Sequence, residues 1–340
     1  MKFDFTDEQY ALRDAARELF EKESSPARLR ELWGGGARDA RLWRAMGEMG
    51  LLGLMIPEQF GGMGGDEVDL VLVLEESGRA ALPEPVIETV AIAGPMIAAG
   101  GSDDQKQEWL PRLASGDAKV TVQVEASPFV VDADIADALL IEKDAALHLV
   151  PSTHFDAAAI QTEDPSRRLF TVTAKLSDAT RLGGGLFSQM FLRGAWATAA
   201  VLNGIAMRLL EMTVAHVKSR QQFGRPVGSF QAVKHKLASA AVLIESSRSC
   251  TWYAAYALAK DLPDAPVAIS AAKAYASEAE GYINTEALQC HAGIGFTWEH
   301  DLHFWLKRGR ALEQAYGSAR HHRAILAHHV FDELDRGSER

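Results

Sequence analysis

Apolar residues recur at helical spacing through most of this 340-residue chain, and a single region interrupts this helical pattern. From Val120 to about Leu182, short β-branched runs alternate with turn residues, which is typical of strands. The order helices, strands, helices predicts a mainly α protein with a small β region. Within that region an antiparallel sheet is favoured over a βαβ unit.

The N-terminal third has clear helix signals. Thr6 and Gln9 have the spacing of a capping box, which predicts a helix start. Further helices are expected at roughly 39–50, 66–82, 84–100 and 103–114. The glycine-rich stretch 56–65 lacks the Lys-Ser/Thr of a phosphate loop, so we interpret it as a turn.

After about Phe187 the chain returns to long helical patterns with short connections, which indicate an antiparallel four-helix bundle. The last of these helices is expected from about Glu313 to Leu334. Glycines at 183–185 mark the end of the β region. The predicted domains are an N-terminal helical domain, a β domain and a C-terminal bundle, at 1–118, 119–182 and 183–334.

Charge and cysteine content exclude several classes of protein. A net charge of −11 argues against nonspecific binding to nucleic acid or anionic membranes. The two cysteines, Cys250 and Cys290, form no disulfide framework or zinc spacing. The acidic N-terminus is unlike a signal peptide, and no run of about eighteen apolar residues occurs. A cytoplasmic protein is expected.

The run from Arg220 to Gln231 contains a helix end, a tight Gly-Arg-Pro-Val-Gly connection and a new helix start. Arg220 could pair with an anion, Phe223 could lie against a planar ring, and Gln231 could hydrogen-bond a polar edge. An ordinary turn between helices, with a solvated arginine, explains the same residues.

A second run extends from Gln289 to Asp301 and is rich in small residues. Ala292, Gly293 and Gly295 would let a ligand or partner approach the backbone closely. A plain helix C-cap explains the same glycines.

Together the two runs resemble the acyl-CoA dehydrogenase family. That family has Arg-x-x-Phe-Gly with a glutamine eleven positions after the arginine, as at Arg220 and Gln231. Its later Gln-x-x-Gly-Gly-x-Gly-Phe run is similar to 289–296, with Ala292 in place of one glycine. Stretches within 51–62 and 105–116 are also similar, and the resemblance covers 1–118 and 183–330.

The resemblance implies a helical N-terminal domain, a β middle domain and a four-helix C-terminal domain, assembled as dimers or tetramers. Family members bind FAD at subunit interfaces. Carried over, the residues that would reach toward FAD held mainly by a neighbouring chain are Arg220, Phe223, Gln231, Gln289 and Gly293. Arg220 would lie near the pyrophosphate.

The chain departs from the family at the catalytic base. Family chemistry removes the α-proton of an acyl-CoA thioester with a glutamate while hydride leaves to the flavin. One position for that glutamate is twenty-seven residues after Gln289, where this chain has Tyr316. The other is twenty-nine residues before Phe223, where it has Gly194. Neither side chain is a carboxylate.

The nearest carboxylates within the predicted bundle helices are Glu211 and Glu313. Glu313 lies about one helical turn before Tyr316 and is a conceivable relocated base. A solvated helix glutamate is the simpler interpretation.

The middle domain is also short, with about sixty residues where the family usually has over a hundred. The stretch 122–128 is only weakly similar to a family loop that holds the flavin ring, and no tryptophan occurs between Trp109 and Trp196. A chain without these elements is not expected to retain FAD by itself.

No metal site is expected. His321/His322 and His328/His329 lie about two helical turns apart rather than at i, i+4, and no acid completes a set around them, His291, His300 or His303.

The family includes bacterial enzymes for steroid side chains and other bulky cyclic acyl-CoAs that combine a catalytic and a degenerate chain. The sequence is similar to the degenerate chain, which implies an α2β2 heterotetramer with a full-length homologue and electron-transfer flavoprotein as acceptor. Two alternatives are an autonomous acyl-CoA dehydrogenase with a relocated base and a non-enzymatic acyl-CoA-binding or scaffold protein. The acyl group is not identified.

Overall fold

A computed structural model of the chain describes residues 4–183 and 185–338, with no side-chain detail at 187 or 332–338. Met1 to Phe3 and Gly184, which enter the N-terminal and boundary interpretations above, lie outside the described residues.

The N-terminal part is helical, as predicted. The Thr6 hydroxyl accepts a hydrogen bond from Gln9 N, and the Gln9 side chain accepts one from Thr6 N, so the capping box is confirmed. A 3-10 turn covers Glu58–Phe60 in the glycine-rich stretch, and a π-helical segment covers Ile87–Ala93. The helices are α1 (Asp7–Glu23), α2 (Pro26–Trp33), α3 (Ala40–Glu48), α4 (Glu67–Arg79), α5 (Gly94–Gly100) and α6 (Asp103–Ser115).

The strands of the β region are β1 (Val120–Gln123), β2 (Phe129–Val131), β3 (Ala138–Lys143), β4 (Ala146–Pro151), β5 (Phe155–Ile160) and β6 (Leu169–Ala174). They form two three-stranded sheets, in the orders β1-β3-β4 and β2-β6-β5.

The predicted antiparallel pairing holds for three of the four strand pairs in this region, and no βαβ unit forms among its described residues. β1 and β3 pair in parallel, with Val120 opposite Ala138. The chain between them forms β2 in the other sheet, and this detour lets it return in the same direction without a helical crossover. A small core joins the two sheets, and it contains Val130, Ala133, Leu139 and Phe170.

The C-terminal part is again helical, with α7 (Phe187–Ser219), α8 (Gln231–Ala259), α9 (Ala265–His291), α10 (Leu302–Gln314) and α11 (Ala319–Ser338). The expected single helix from Glu313 to Leu334 is wrong. Tyr316 and Gly317 have φ of 51° and 93°, and two consecutive left-handed residues end one helix before the next begins.

The chain divides into two compact units. The first contains residues up to Leu74 together with Leu82–Ala197, and the second contains Glu75–Ala81 with the chain from Thr198 onward. The three-domain division at 118 and 182 stays a prediction.

Within the second unit, α7 and the end of α4 approach each other at glycines. A Cβ on Gly204 would lie 1.8 Å from Glu75 O, and one on Gly78 would lie 2.0 Å from Val201 O. Both distances are far below van der Waals contact, and both neighbours are backbone atoms. Only glycine therefore permits this approach.

A buried carboxylate holds α8 against the same segment. Glu75 accepts hydrogen bonds from Arg248 Nη2 at 3.0 Å and from Trp252 Nε1 at 3.0 Å. Burial raises the pKa of Glu75, and the Arg248 charge opposes that rise.

Among the described residues, one helix, Ser188–Ser219, is long and apolar enough to cross a membrane. Of its most apolar window, 67% is buried inside the protein, and core helices of soluble proteins meet the same criterion.

We expect Gly204→Ala to destabilise the protein by about 3 kcal/mol, because the added methyl group meets backbone that cannot move cheaply. The midpoint and slope of urea unfolding measure this. Gly293→Ala is the matched control, since a Cβ there has no atom within 4 Å. Equal midpoints for the two variants would show that the helices do not approach this closely.

Candidate functional site

The first motif forms a short hairpin after α7. Its strands are β7 (Gln221–Gln222) and β8 (Arg225–Pro226), which pair antiparallel. Phe223 and Gly224 are the two turn residues, with φ of 54° and 77°. Positive φ at both central positions is the pattern of a type I′ turn, which favours Asn-Gly. Phenylalanine is a strained residue in this conformation.

The Phe223 side chain is also 91% exposed. Its nearest ring is Phe230, edge-to-face at a centroid distance of 6.1 Å. An exposed aromatic ring and a left-handed backbone are each unfavourable, and here they occur at one residue. Such local strain is typical of functional positions.

Arg220 lies at the base of the hairpin. Its N–H donates to His216 O at 2.8 Å, and its carbonyl accepts from Val227 N at 2.8 Å. Its side chain is exposed, and no carboxylate in the described part of the chain forms a salt bridge with it. The guanidinium is therefore available to an anion. Gln231, the first residue of α8, is exposed as well.

The second motif begins at the end of α9 and continues as a 3-10 turn over Ala292–Phe296. Gln289 and Gly293 are exposed, and a Cβ on Gly293 would meet open space. Ala292, which stands where the family has glycine, has φ 54° and ψ −141°. Glycine adopts that backbone conformation far more easily than alanine does.

The fold brings the two motifs together. The rings of His216 in α7 and His291 in α9 stack with centroids 4.3 Å apart. His216 lies one helical turn before Arg220, and His291 lies two residues after Gln289. The stacked histidines therefore place the two motifs on adjoining segments. All five residues predicted to face FAD are exposed on these segments. Contact of these residues with FAD stays a prediction.

Two further exposed aromatic residues occur in the second motif, and the sequence reasoning gave them no role. Phe296 is 74% exposed and Trp298 is 65% exposed. Both lie in the run from Gln289 to Asp301, but a single sequence does not reveal whether an aromatic side chain is exposed. Exposed apolar groups at one site are typical of a surface that another molecule covers.

His216, His291 and His300 form a cluster in which one nitrogen of each ring lies within 4.8 Å of the others. Burial lowers the pKa of His291 to about 4, so this ring is neutral at pH 7. The sequence reasoning missed His216 because it precedes His291 by seventy-five residues. Only the fold places it beside the other two.

Neither of the two positions predicted for the catalytic glutamate carries a carboxylate in this chain. Gly194 is a buried residue of α7, and its neighbour Arg193 pairs with Glu67 at 2.7 Å. Tyr316 lies in the break between α10 and α11, where its carbonyl accepts a hydrogen bond from His322 Nε2 at 2.9 Å. Burial lowers the pKa of His322 to about 4, so His322 is neutral at pH 7.

Both candidate carboxylates of the bundle helices, Glu211 and Glu313, form ion pairs. Glu211 pairs with Arg79 at 2.7 Å. Glu313 is 14% exposed and accepts hydrogen bonds on both oxygens from Arg310 Nη1, at 3.1 Å each. Each carboxylate is therefore already engaged by an arginine of the same chain.

Glu313 also lies beside Glu280, whose pKa burial raises well above its usual value. Glu280 accepts a hydrogen bond from Asn284 Nδ2 at 2.8 Å. Burial therefore disfavours the charged form of the Glu280 carboxyl group. Glu313 thus belongs to a buried polar group rather than to solvent.

Family models for the "Acyl-CoA dehydrogenase, N-terminal domain" and the "Acyl-CoA dehydrogenase, C-terminal domain" match residues 6–117 and 183–331. The chain is 37% identical over 335 residues to "Acyl-CoA dehydrogenase IpdE2" of Mycolicibacterium smegmatis. That alignment covers 96% of this chain and 100% of the relative, so the two chains have similar lengths.

Two solved structures are similar over nearly the whole chain. One is the "ChsE4-ChsE5 complex from Mycobacterium tuberculosis", with 26% identity, a TM-score of 0.89 and coverage of 97% of this chain and 99% of that one. The other is a variant of the "Tcur3481-Tcur3483 steroid ACAD", with 27% identity, a TM-score of 0.87 and coverage of 98% and 99%.

We expect Phe223→Asn to stabilise the chain by about 1 kcal/mol, because asparagine adopts the left-handed turn with less strain. The midpoint of urea unfolding of the chain alone measures this. Phe296→Asn removes a similarly exposed ring without a positive φ and should leave the midpoint unchanged. Destabilisation by Phe223→Asn would contradict the strain argument.

Proposed function

The chain belongs to the acyl-CoA dehydrogenase family, and we propose that it is the degenerate subunit of an α2β2 member of that family. The complex is an oxidoreductase that introduces an α,β double bond into an acyl-CoA thioester. One observation carries the proposal: both positions for the base lack a carboxylate, at Gly194 and Tyr316. The chain alone is inactive.

In this proposal a full-length homologue supplies the glutamate that removes the α-proton and most of the FAD site. FAD, when bound, accepts the hydride that leaves the β-carbon. The residues of this chain complete the partner's FAD site from across the subunit interface. Arg220 pairs with the pyrophosphate, because an exposed guanidinium without a salt-bridge partner suits a bidentate anion.

The other site residues bind the rest of the nucleotide. Phe223 lies against a planar ring, and Gln231 and Gln289 donate or accept hydrogen bonds at polar edges. Gly293 lets the ligand approach the backbone, since no described atom of this chain lies within 4 Å of where its Cβ would be. The exposure of all five residues supports this role, because none is engaged in the core of its own subunit.

Two of the similar structures support a second chain. One is the ChsE4-ChsE5 complex, and the other, the Tcur3481-Tcur3483 steroid ACAD, is a steroid enzyme whose name likewise joins two chains. We therefore propose a steroid-like or other bulky cyclic acyl-CoA as substrate, electron-transfer flavoprotein as acceptor and the cytoplasm as location.

The first alternative is an autonomous enzyme that uses Glu313 as its base. The Arg310 guanidinium opposes this role, because Arg310 Nη1 contacts both Glu313 oxygens that a base would need for the substrate proton. The second alternative, a non-enzymatic acyl-CoA-binding or scaffold protein, gives no role to the exposed Phe223 and Arg220.

We expect two FAD molecules per four chains when this chain is co-purified with its full-length partner. In that complex Arg220→Ala should lower the affinity for FAD by at least about tenfold, since a charge-assisted hydrogen bond is lost. Flavin absorbance per complex after dialysis measures both. Lys218→Ala is the matched control, because it removes a nearby exposed charge outside the motif.

Four FAD molecules per complex would contradict the degenerate-subunit proposal. Unchanged FAD retention by Arg220→Ala, with the complex intact, would favour the scaffold alternative.

We expect Glu313→Gln to change the turnover of the assembled complex by less than about threefold. Removal of a true general base lowers rates by about 10²- to 10⁴-fold, so the two outcomes are well separated. Steady-state acyl-CoA oxidation with a dye acceptor measures the rate. A loss of about 10³-fold with normal assembly would instead identify Glu313 as a relocated base.

A further inference from the structure

Three histidines from separate elements meet in the second unit. His216 lies in the last turn of α7, His291 ends α9, and His300 precedes α10. The His291 ring lies 4.3 Å from that of His216 and 4.8 Å from that of His300, measured between centroids. One nitrogen of each ring lies within 4.8 Å of the others, and no acid or cysteine belongs to the set among the described residues.

His291 has one ring nitrogen with no partner. It is 3% exposed, and its Nδ1 lies 2.8 Å from Ala287 O. A carbonyl can only accept, so Nδ1 carries the proton and Nε2 has a lone pair. That Nε2 is buried and has no hydrogen-bond donor among the described residues. Fixing the tautomer through a backbone carbonyl is the usual arrangement around a metal-binding histidine.

We propose that His216, His291 and His300 bind one divalent transition-metal ion, such as zinc, with water as a fourth ligand. Three neutral imidazoles suit zinc, copper or nickel, whereas magnesium and calcium prefer oxygen. Three histidines with one open position is also a common zinc coordination. The proposal does not depend on the flavin site, because it concerns this chain alone.

The geometry requires a modest adjustment. Nitrogens about 2.0–2.1 Å from a tetrahedral ion lie roughly 3.4 Å apart, somewhat closer than the 4.8 Å limit observed. His216 and His300 are only partly buried, so their rings can move toward the fixed His291. His300 Nδ1 accepts a hydrogen bond from Leu302 N at 3.1 Å, so its Nε2 is the nitrogen that turns to the ion.

A bound ion would link α7, α9 and the segment before α10. These elements carry both exposed motifs, so the metal would hold the Gln289 run against the end of α7. Arg220 lies one helical turn after His216, and its positive charge opposes a bound cation. We therefore expect Arg220→Ala to bind zinc more tightly than the natural chain does.

The test uses the full-length, tag-free chain, dialysed against zinc and then against metal-free buffer. We expect one zinc per chain by atomic emission, and no retention of magnesium in a parallel dialysis. Titration calorimetry should show binding about 100-fold weaker in His300→Gln and in His216→Gln. His328→Gln, an exposed residue of α11 outside the cluster, is the matched control and should bind normally.

Cobalt(II) gives a second readout that does not depend on affinity. Ligand-field absorption of a four-coordinate cobalt site is expected in the natural chain and His328→Gln, and not in His300→Gln. Absence of zinc from the natural chain would overturn the proposal. So would equal zinc binding by the natural chain and both cluster variants, which indicates adventitious binding at surface histidines.

Discussion

The close contact between α7 and the end of α4 fixes the second unit. Gly78 and Gly204 let two backbones lie where any side chain would collide, and Glu75 holds Arg248 and Trp252 of α8 at the same place. The start of α8 and the end of α7 are the two ends of the Phe223 hairpin. The position of the hairpin therefore depends on a backbone contact far from it in sequence.

Local signals predicted much of the fold. The capping box at Thr6, the helices at 40–48 and 103–115 and the β region follow from short-range spacing. The parallel pairing of β1 with β3 and the break at Tyr316 do not. The first depends on a detour through another sheet, and the second on two left-handed residues inside an uninterrupted helical pattern. Neither feature has a periodicity that a single sequence reveals.

The candidate site likewise contains some features that the sequence predicts and others that it does not. Motif spacing predicts a site with Arg220, Phe223, Gln231, Gln289 and Gly293, and the fold places their two segments side by side. Spacing also predicts that Tyr316 stands at a position for the catalytic base. Both assignments stay predictions. What the sequence could not predict was the exposure of Phe296 and Trp298 and the approach of His216 to His291, since both depend on tertiary packing.

The Tyr316 backbone helps to form the break between α10 and α11. His322 donates a hydrogen bond to the Tyr316 carbonyl, a backbone group that any residue supplies. This contact therefore does not depend on which side chain stands at a position where the family resemblance predicts a base. Close by, Lys273 donates a hydrogen bond to the Glu313 carbonyl and links α9 to α10.

The exposed rings of Phe223, Phe296 and Trp298 have a consequence for the protein in the cell. A surface of this kind on an unassembled chain is a target for chaperones and proteases, which act on exposed apolar groups. If the proposed partner covers this surface, copies made in excess of it are expected to be degraded. The cellular amount of this chain would then follow the synthesis of that proposed partner rather than its own.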